Sequence, residues 1–147
     1  MRSVLRRATI LVRDLDRSMA FYHGVFGLTP YAELNVDLER VPFFPVGPEP
    51  RSGASRFVIL KGDDPLIGMI GLMEITDPPL PEPAHDVRRL GIGSTALVLS
   101  VSDADAAAVA AENLGGSILM PVTTARNLGN KDGGFVPVKL FMAQDPD

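Results

Sequence analysis

The chain carries one pattern twice. Val12 falls on Val101, Asp14 on Asp103, Asp16 on Asp105, Val25 on Leu114 and Gly27 on Gly116, all at one constant spacing and without a gap. Each copy reads as an apolar, branched strand, a turn whose Asp can cap a helix, an apolar-periodic helix and a terminating glycine. Two copies are too few for a solenoid, so the repeat implies a pseudo-twofold pair of modules. A chain of 147 residues, 46% of them hydrophobic, can bury one core of that size.

In the first copy, Ala8 to Val12 is a strand, and Leu15, Met19, Tyr22 and Phe26 then recur at helical spacing up to Gly27. Leu28 to Leu34, Arg56 to Lys61 and Ile67 to Thr76 read as three further strands, the last two joined by the turn Gly62-Asp63-Asp64-Pro65. In the second copy, Ser94 to Val101 reads as a strand and is followed by an alanine-rich helix to about Leu114. Ser117 to Val122 is a strand, Thr123 to Gly134 a glycine-rich loop and Val136 to Ala143 another strand. The fold expected is α+β: two tandem β-α-β-β-β modules forming an open trough or half-barrel. A single domain spans 1–147, with module one at 5–76, a linker carrying Pro78, Pro79, Pro81 and Pro83 at 77–93, and module two at 94–147. Module two stops in Asp145-Pro146-Asp147, where its fourth strand is due, which leaves an unpaired edge. The expectation is that the natural gene product continues past Asp147, and an intact mass ending there would refute it.

Composition excludes several functions. There are 14 Lys and Arg against 18 Asp and Glu, a formal charge of −4 with no basic stripe, so no nucleic-acid partner is expected. The absence of cysteine removes disulfides, thiolate nucleophiles and Cys-type zinc sites together. No stretch approaches the roughly 18 apolar residues of a spanning helix, and the run Ile10-Leu11-Val12 is too short for a signal-peptide core. A cytoplasmic protein without a membrane partner is the expectation.

The segment Ile10-Leu11-Val12-Arg13-Asp14-Leu15-Asp16-Arg17-Ser18-Met19-Ala20-Phe21-Tyr22, continued by Val25-Phe26-Gly27-Leu28, resembles the opening of the vicinal-oxygen-chelate superfamily. That group contains glyoxalase I, bleomycin-resistance proteins and extradiol dioxygenases. The terminal Asp-Pro-Asp is similar to the turn before the family's last strand. The resemblance implies metal ligands, usually His, Gln or Glu, on the first and fourth strands of each module, facing the trough. On the first strand, alternation puts Ala8, Ile10 and Val12 toward the helix and Arg7, Thr9 and Leu11 toward the trough. Arg7 then takes the first ligand position, Ala96 is its counterpart in module two, Glu74 matches the fourth-strand position, and the fourth position lies beyond Asp147. An Arg cannot ligate a metal and an Ala has nothing to ligate with, so no cofactor is expected; nickel, zinc, manganese or iron is the alternative.

Other candidates are weaker. His23 falls on the polar side of its helix and His85 in the proline-rich linker, both readable as ordinary solvated residues. Arg7 and Glu74 are expected to meet across the trough floor or else to reach solvent separately. Arg88, Arg89, Arg126 and Lys131 flank the expected mouth of the trough or are plain loop charges. Phe43 and Phe44, within the long segment from Asn35 to Ser55, and Phe135 are pocket walls or core.

The resulting expectation is a glyoxalase-like homodimer that binds a small, partly apolar organic molecule through Arg7, Thr9, Glu74, Ala96, Phe43, Phe44, Arg126 and Phe135. Any catalysis would run through Glu74 as a general base. The alternatives are a metal-dependent lyase (lactoylglutathione-lyase-like) or dioxygenase, and a catalytically silent protein whose long segment serves a protein partner.

Overall fold

The structure is a computed structural model that describes residues 3–37, 55–64, 67–77, 79–83, 86, 88–126 and 137–147. Its elements run β1 (Arg7–Val12), α1 (Leu15–Phe26), β2 (Thr29–Asn35), β3 (Ser55–Lys61), β4 (Met69–Ile75), α2 (Ala104–Asn113), β5 (Ser117–Arg126) and β6 (Pro137–Gln144). The result is a mixed α+β fold with two helices, a four-stranded sheet ordered β1-β4-β3-β2, a two-stranded sheet β5-β6 and no closed barrel among the described residues.

The repeated signal does what its chemistry requires. Asp14 caps α1 by accepting from Arg17 N at 3.0 Å, and Asp103 caps α2 by accepting from Ala106 N at 3.0 Å. Each helix also ties an Asp of its first turn to a cation two strands on, Asp16 to Arg56 and Asp105 to Lys139. The Arg56 guanidinium holds the Asp16 carboxyl below its ordinary range. Gly27, at φ 68, closes α1 in the left-handed region, its N–H reaching the His23 carbonyl. In module two the left-handed residue is Gly115, at φ 86, one position before the glycine the repeat singles out. Gly116 instead permits a close approach, because a Cβ there would come within 2.5 Å of the Phe21 ring and 2.8 Å of the Gln144 carbonyl oxygen.

The core is shared by the two modules. Leu15, Phe21, Tyr22 and Val25 of α1 pack with Val12, Val58, Leu60, Ile70 and Leu72 from one face of the first sheet. Ala107 and Ala111 of α2 join the same cluster, with Ile118, Phe141 and Ala143 of the second sheet against it. The buried face of α1 includes Ser18, Phe21 and Val25, so it is rotated from the expected stripe, and Met19 and Phe26 are only partly buried. Within that face Ser18 is fully buried, its hydroxyl donating to the Asp147 carboxylate at 2.8 Å. That carboxylate also accepts from Asp14 N at 3.2 Å and from Arg17 at 3.0 Å, while the Tyr22 hydroxyl donates to Asp145 at 2.8 Å. The turn at 145–147 is therefore fastened to the first turns of α1.

Two expectations are corrected. The stretch from Ser94 to Val101 forms no ladder, although Leu99 and Val101 pack on the shared core. In module one, β1 is held by a single neighbour, the parallel strand β4, and among the described residues nothing plays that part for 94–101. Residues 123–126, expected in a loop, instead extend β5, where Thr123 to Arg126 pair with Leu140 to Pro137.

Candidate functional site

The first sheet has two dissimilar faces. Phe57, Ile59, Met69, Met73 and Ile75 form a second cluster on the face turned away from the helices, with Ala32, Val36 and Leu80 against it. Because side chains alternate along a strand, residues in register with this cluster share its face. Arg7 pairs with Met69, Thr9 with Gly71, and Lys61 continues the row of Phe57 and Ile59. This outer face is the trough expected from the sequence, with Arg7, Thr9 and Leu11 on it.

Arg7 is seated on it. Its guanidinium carbon lies 5.1 Å from the centroid of the Phe57 ring, a cation–π arrangement worth about 0.5–2 kcal/mol. Gly71 makes this possible: a Cβ at that position would fall 2.8 Å from the Phe57 ring and 2.9 Å from the Thr9 hydroxyl. Beside them is an open cavity of about 470 Å³, whose walls include Leu5, Arg7, Thr9, Tyr31, Ile59 and Met69. Lys61 stands near Tyr31, its Nζ 5.6 Å from the ring centroid. Tyr31 is 57% exposed and Leu5 81% exposed, so the apolar walls stand open to solvent.

Glu74 is elsewhere, which corrects the expected meeting with Arg7. It is in register with Val12, and Val12 packs against α1, so both side chains face the helices. The Glu74 carboxylate accepts from Leu15 N at 3.4 Å and stands 3.7 Å from the Arg56 guanidinium. It supports the start of α1 and is not aimed into the trough. The alternation that would have revealed this is hidden in the sequence, because β4 is a central strand covered on both faces and reads as one apolar run.

The remaining candidates are scattered. Ala96 is exposed in the unladdered stretch 94–101. Arg126 closes β5 opposite Pro137, in the other sheet from Arg7. Arg88 and Arg89 are exposed, Arg88 standing 4.0 Å from Asp86. His23 is exposed on the last turn of α1, with Nδ1 2.9 Å from the Leu28 carbonyl oxygen. Phe43, Phe44, His85, Lys131 and Phe135 lie outside the described residues. Sequence reasoning missed Phe57, Tyr31, Ile59 and Met69. The odd-numbered row Phe57, Ile59 and Lys61 on β3 was the available signal for Phe57 and Ile59.

The positions where the resemblance implies metal ligands do not fit a divalent ion. Arg7 brings a positive charge, Ala96 no donor, and Glu74 is committed on the opposite face. Among the described residues no group of three or more His, Cys, Asp or Glu side chains could hold a metal. Among them, too, no helix is long and apolar enough to cross a membrane.

An open α+β fold of two interlocked modules, with a cavity on the outer face of the larger sheet, defines the class. The chain belongs to the Glyoxalase/Bleomycin resistance protein/Dioxygenase superfamily, whose family model matches residues 4–147. A glyoxalase family protein from Bacillus cereus superposes with a TM-score of 0.63 at 19% identity, over 86% of this chain and 82% of its own. UcmS2 superposes with a TM-score of 0.54 at 17% identity, over 100% of this chain and 95% of its own. The fosfomycin resistance protein FosX from Listeria monocytogenes, solved with Mn(II) and a phosphonic acid, gives 0.44 at 15% identity, over 88% and 80%. The first two likenesses establish the fold. No curated protein matches the sequence.

Proposed function

We propose that the protein binds a small, partly apolar organic molecule on the outer face of its first sheet, without a divalent metal. The observation that carries this reading is the cavity of about 470 Å³ lined by Arg6 and Arg7, which joins apolar walls to two arginines, one of them, Arg7, lying against an aromatic ring. A volume in this range suits a single small ligand. Arg7 contributes a planar fork of donors and Thr9 a hydroxyl, enough to orient a polar group while the apolar walls take the remainder. Sequestration of such a molecule requires no ligand set for a metal and no general base.

The test is a melting screen against aromatic, aliphatic and dicarbonyl metabolites, run in parallel with nickel, zinc, manganese and iron. A ligand that binds only the folded state raises the melting temperature. The expected result is a shift with at least one organic compound, reduced in both Arg7→Gln and Tyr31→Ala, and no stoichiometric metal in protein purified without chelator. A large shift with a divalent ion would replace this reading with that of a metal-dependent lyase or dioxygenase. Organic hits unaffected by both substitutions would move the site elsewhere.

A further inference from the structure

The charges of the first sheet are sorted by face. The outer face carries Arg7 and Lys61 and, among the described strand residues, no acid. The strand acids are on the helix side, Glu33 in register with the buried Val58 and Glu74 with Val12, together with Arg56. This is opposite to the balance of the whole chain, whose formal charge is −4. Charges farther apart than about 8–10 Å are largely screened at ordinary salt, so a ligand in the cavity responds to its own wall and little to the total.

The cations of this wall are also unspent. The ion pairs among the described residues take up Arg13, Arg17, Arg56, Arg88 and Lys139. Among the described residues Arg7, Arg6, which also lines the cavity, and Lys61, which stands beside it near Tyr31, have no carboxylate partner, and Arg7 and Lys61 lie against rings instead. The contact with the Phe57 ring restrains the Arg7 guanidinium, which has no hydrogen-bond acceptor among those residues. A pre-oriented fork with free donors loses little freedom on meeting a planar anion, and such charge-assisted pairs are the stronger kind of hydrogen bond.

We infer that this cavity selects organic anions, molecules with an apolar body and a single carboxylate or similar planar oxyanion, the oxyanion seated on the edge of Arg7 and the body against Leu5, Tyr31, Ile59 and Met69. The inference rests on the reading of the cavity as a ligand site and adds the charge of the ligand to it.

Calorimetric titrations of the full chain with benzoate, 2-naphthoate and octanoate, each against its own primary amide, separate the two ideas. The expected result is that at least one carboxylate binds about tenfold or more tightly than its amide, as one charge-assisted contact implies, and loses that preference in high salt. Arg7→Gln should weaken the carboxylate far more than the amide and so bring the two to one level, with Arg7→Lys falling between. Amides binding as well as carboxylates would overturn the anion selectivity and leave the ligand site standing. A preference that survives Arg7→Gln would overturn the assignment of the anion to Arg7. If no member of any pair binds, the ligand site itself falls and the inference falls with it.

Discussion

The two modules share their strand-turn-helix sequence and do not share their sheets. In module one, β1 lies beside β4 in a four-stranded ladder, whereas residues 94–101, the matching stretch of module two, touch the core through Leu99 and Val101 without any ladder. The helix caps, by contrast, agree to within the atoms that make them. A cap is decided within a few residues, but an apolar stretch becomes a strand only when a neighbour accepts its backbone hydrogen bonds. A shared local code therefore gives matching helix starts and unequal sheets.

Hydrogen exchange gives the largest expected contrast. Amides of β1 that face β4 should be protected by orders of magnitude more than those of 94–101, measured residue by residue by NMR. Equal protection would show that 94–101 has found a strand partner and would erase the asymmetry. Next comes the core common to both halves. Phe21→Ala, which empties the contact between α1 and module two, should cost about 3–5 kcal/mol in urea unfolding and lower both halves in one transition. Two separate transitions would show that the modules fold apart. Gly116→Ala forces a methyl group against Phe21 and the Gln144 carbonyl and should cost about 1–3 kcal/mol, the overpacking range. Asp14→Ala and Asp103→Ala should each cost about 1 kcal/mol, and their similarity is the point: the cap is blind to the sheet that follows it.

The smallest effect is alkaline. Burial, and then the neighbouring Asp145 carboxylate, push the Tyr22 phenol above its ordinary value. The folded chain thus keeps a proton that the unfolded chain releases. The resulting stability is complete below about pH 10 and is lost as pH rises beyond it. Tyr22→Phe should flatten that alkaline fall at the expense of about 1 kcal/mol at neutral pH for the hydrogen bond to Asp145. Urea curves for both proteins at neutral and alkaline pH check it, and parallel slopes would exclude Tyr22 as the source.

Much of the fold was legible because its signals are local. Asp14, Gly27 and Asp103 announce helix ends by chemistry that needs no distant partner, and the strands of module one alternate or run apolar within a few residues of where they end. Other features depend on what lies across space. Gly116 reads as a helix stop, yet its role is set by the Phe21 ring and the Gln144 backbone, so the stop falls to Gly115. On β1, alternation placed Arg7 and Thr9 on the outer face, where the register with Met69 and Gly71 puts them. Glu74 was misplaced because β4 is apolar on both faces and its register with β1 is not written in its own residues. Phe57 was missed as the seat of Arg7 for a related reason, since the contact depends on the absence of a side chain at Gly71, one strand away.

The helices meet through two notches cut in opposite directions. Gly24 on α1 admits Leu114, a Cβ there falling 2.4 Å from its Cδ1, and Gly116 after α2 admits Phe21. Neither module can thereby be altered alone at this contact: a bulkier residue at 24 becomes tolerable only with a smaller one at 114, and the same exchange binds 116 to 21. The two modules are unlike parts, each carrying the mould of the other.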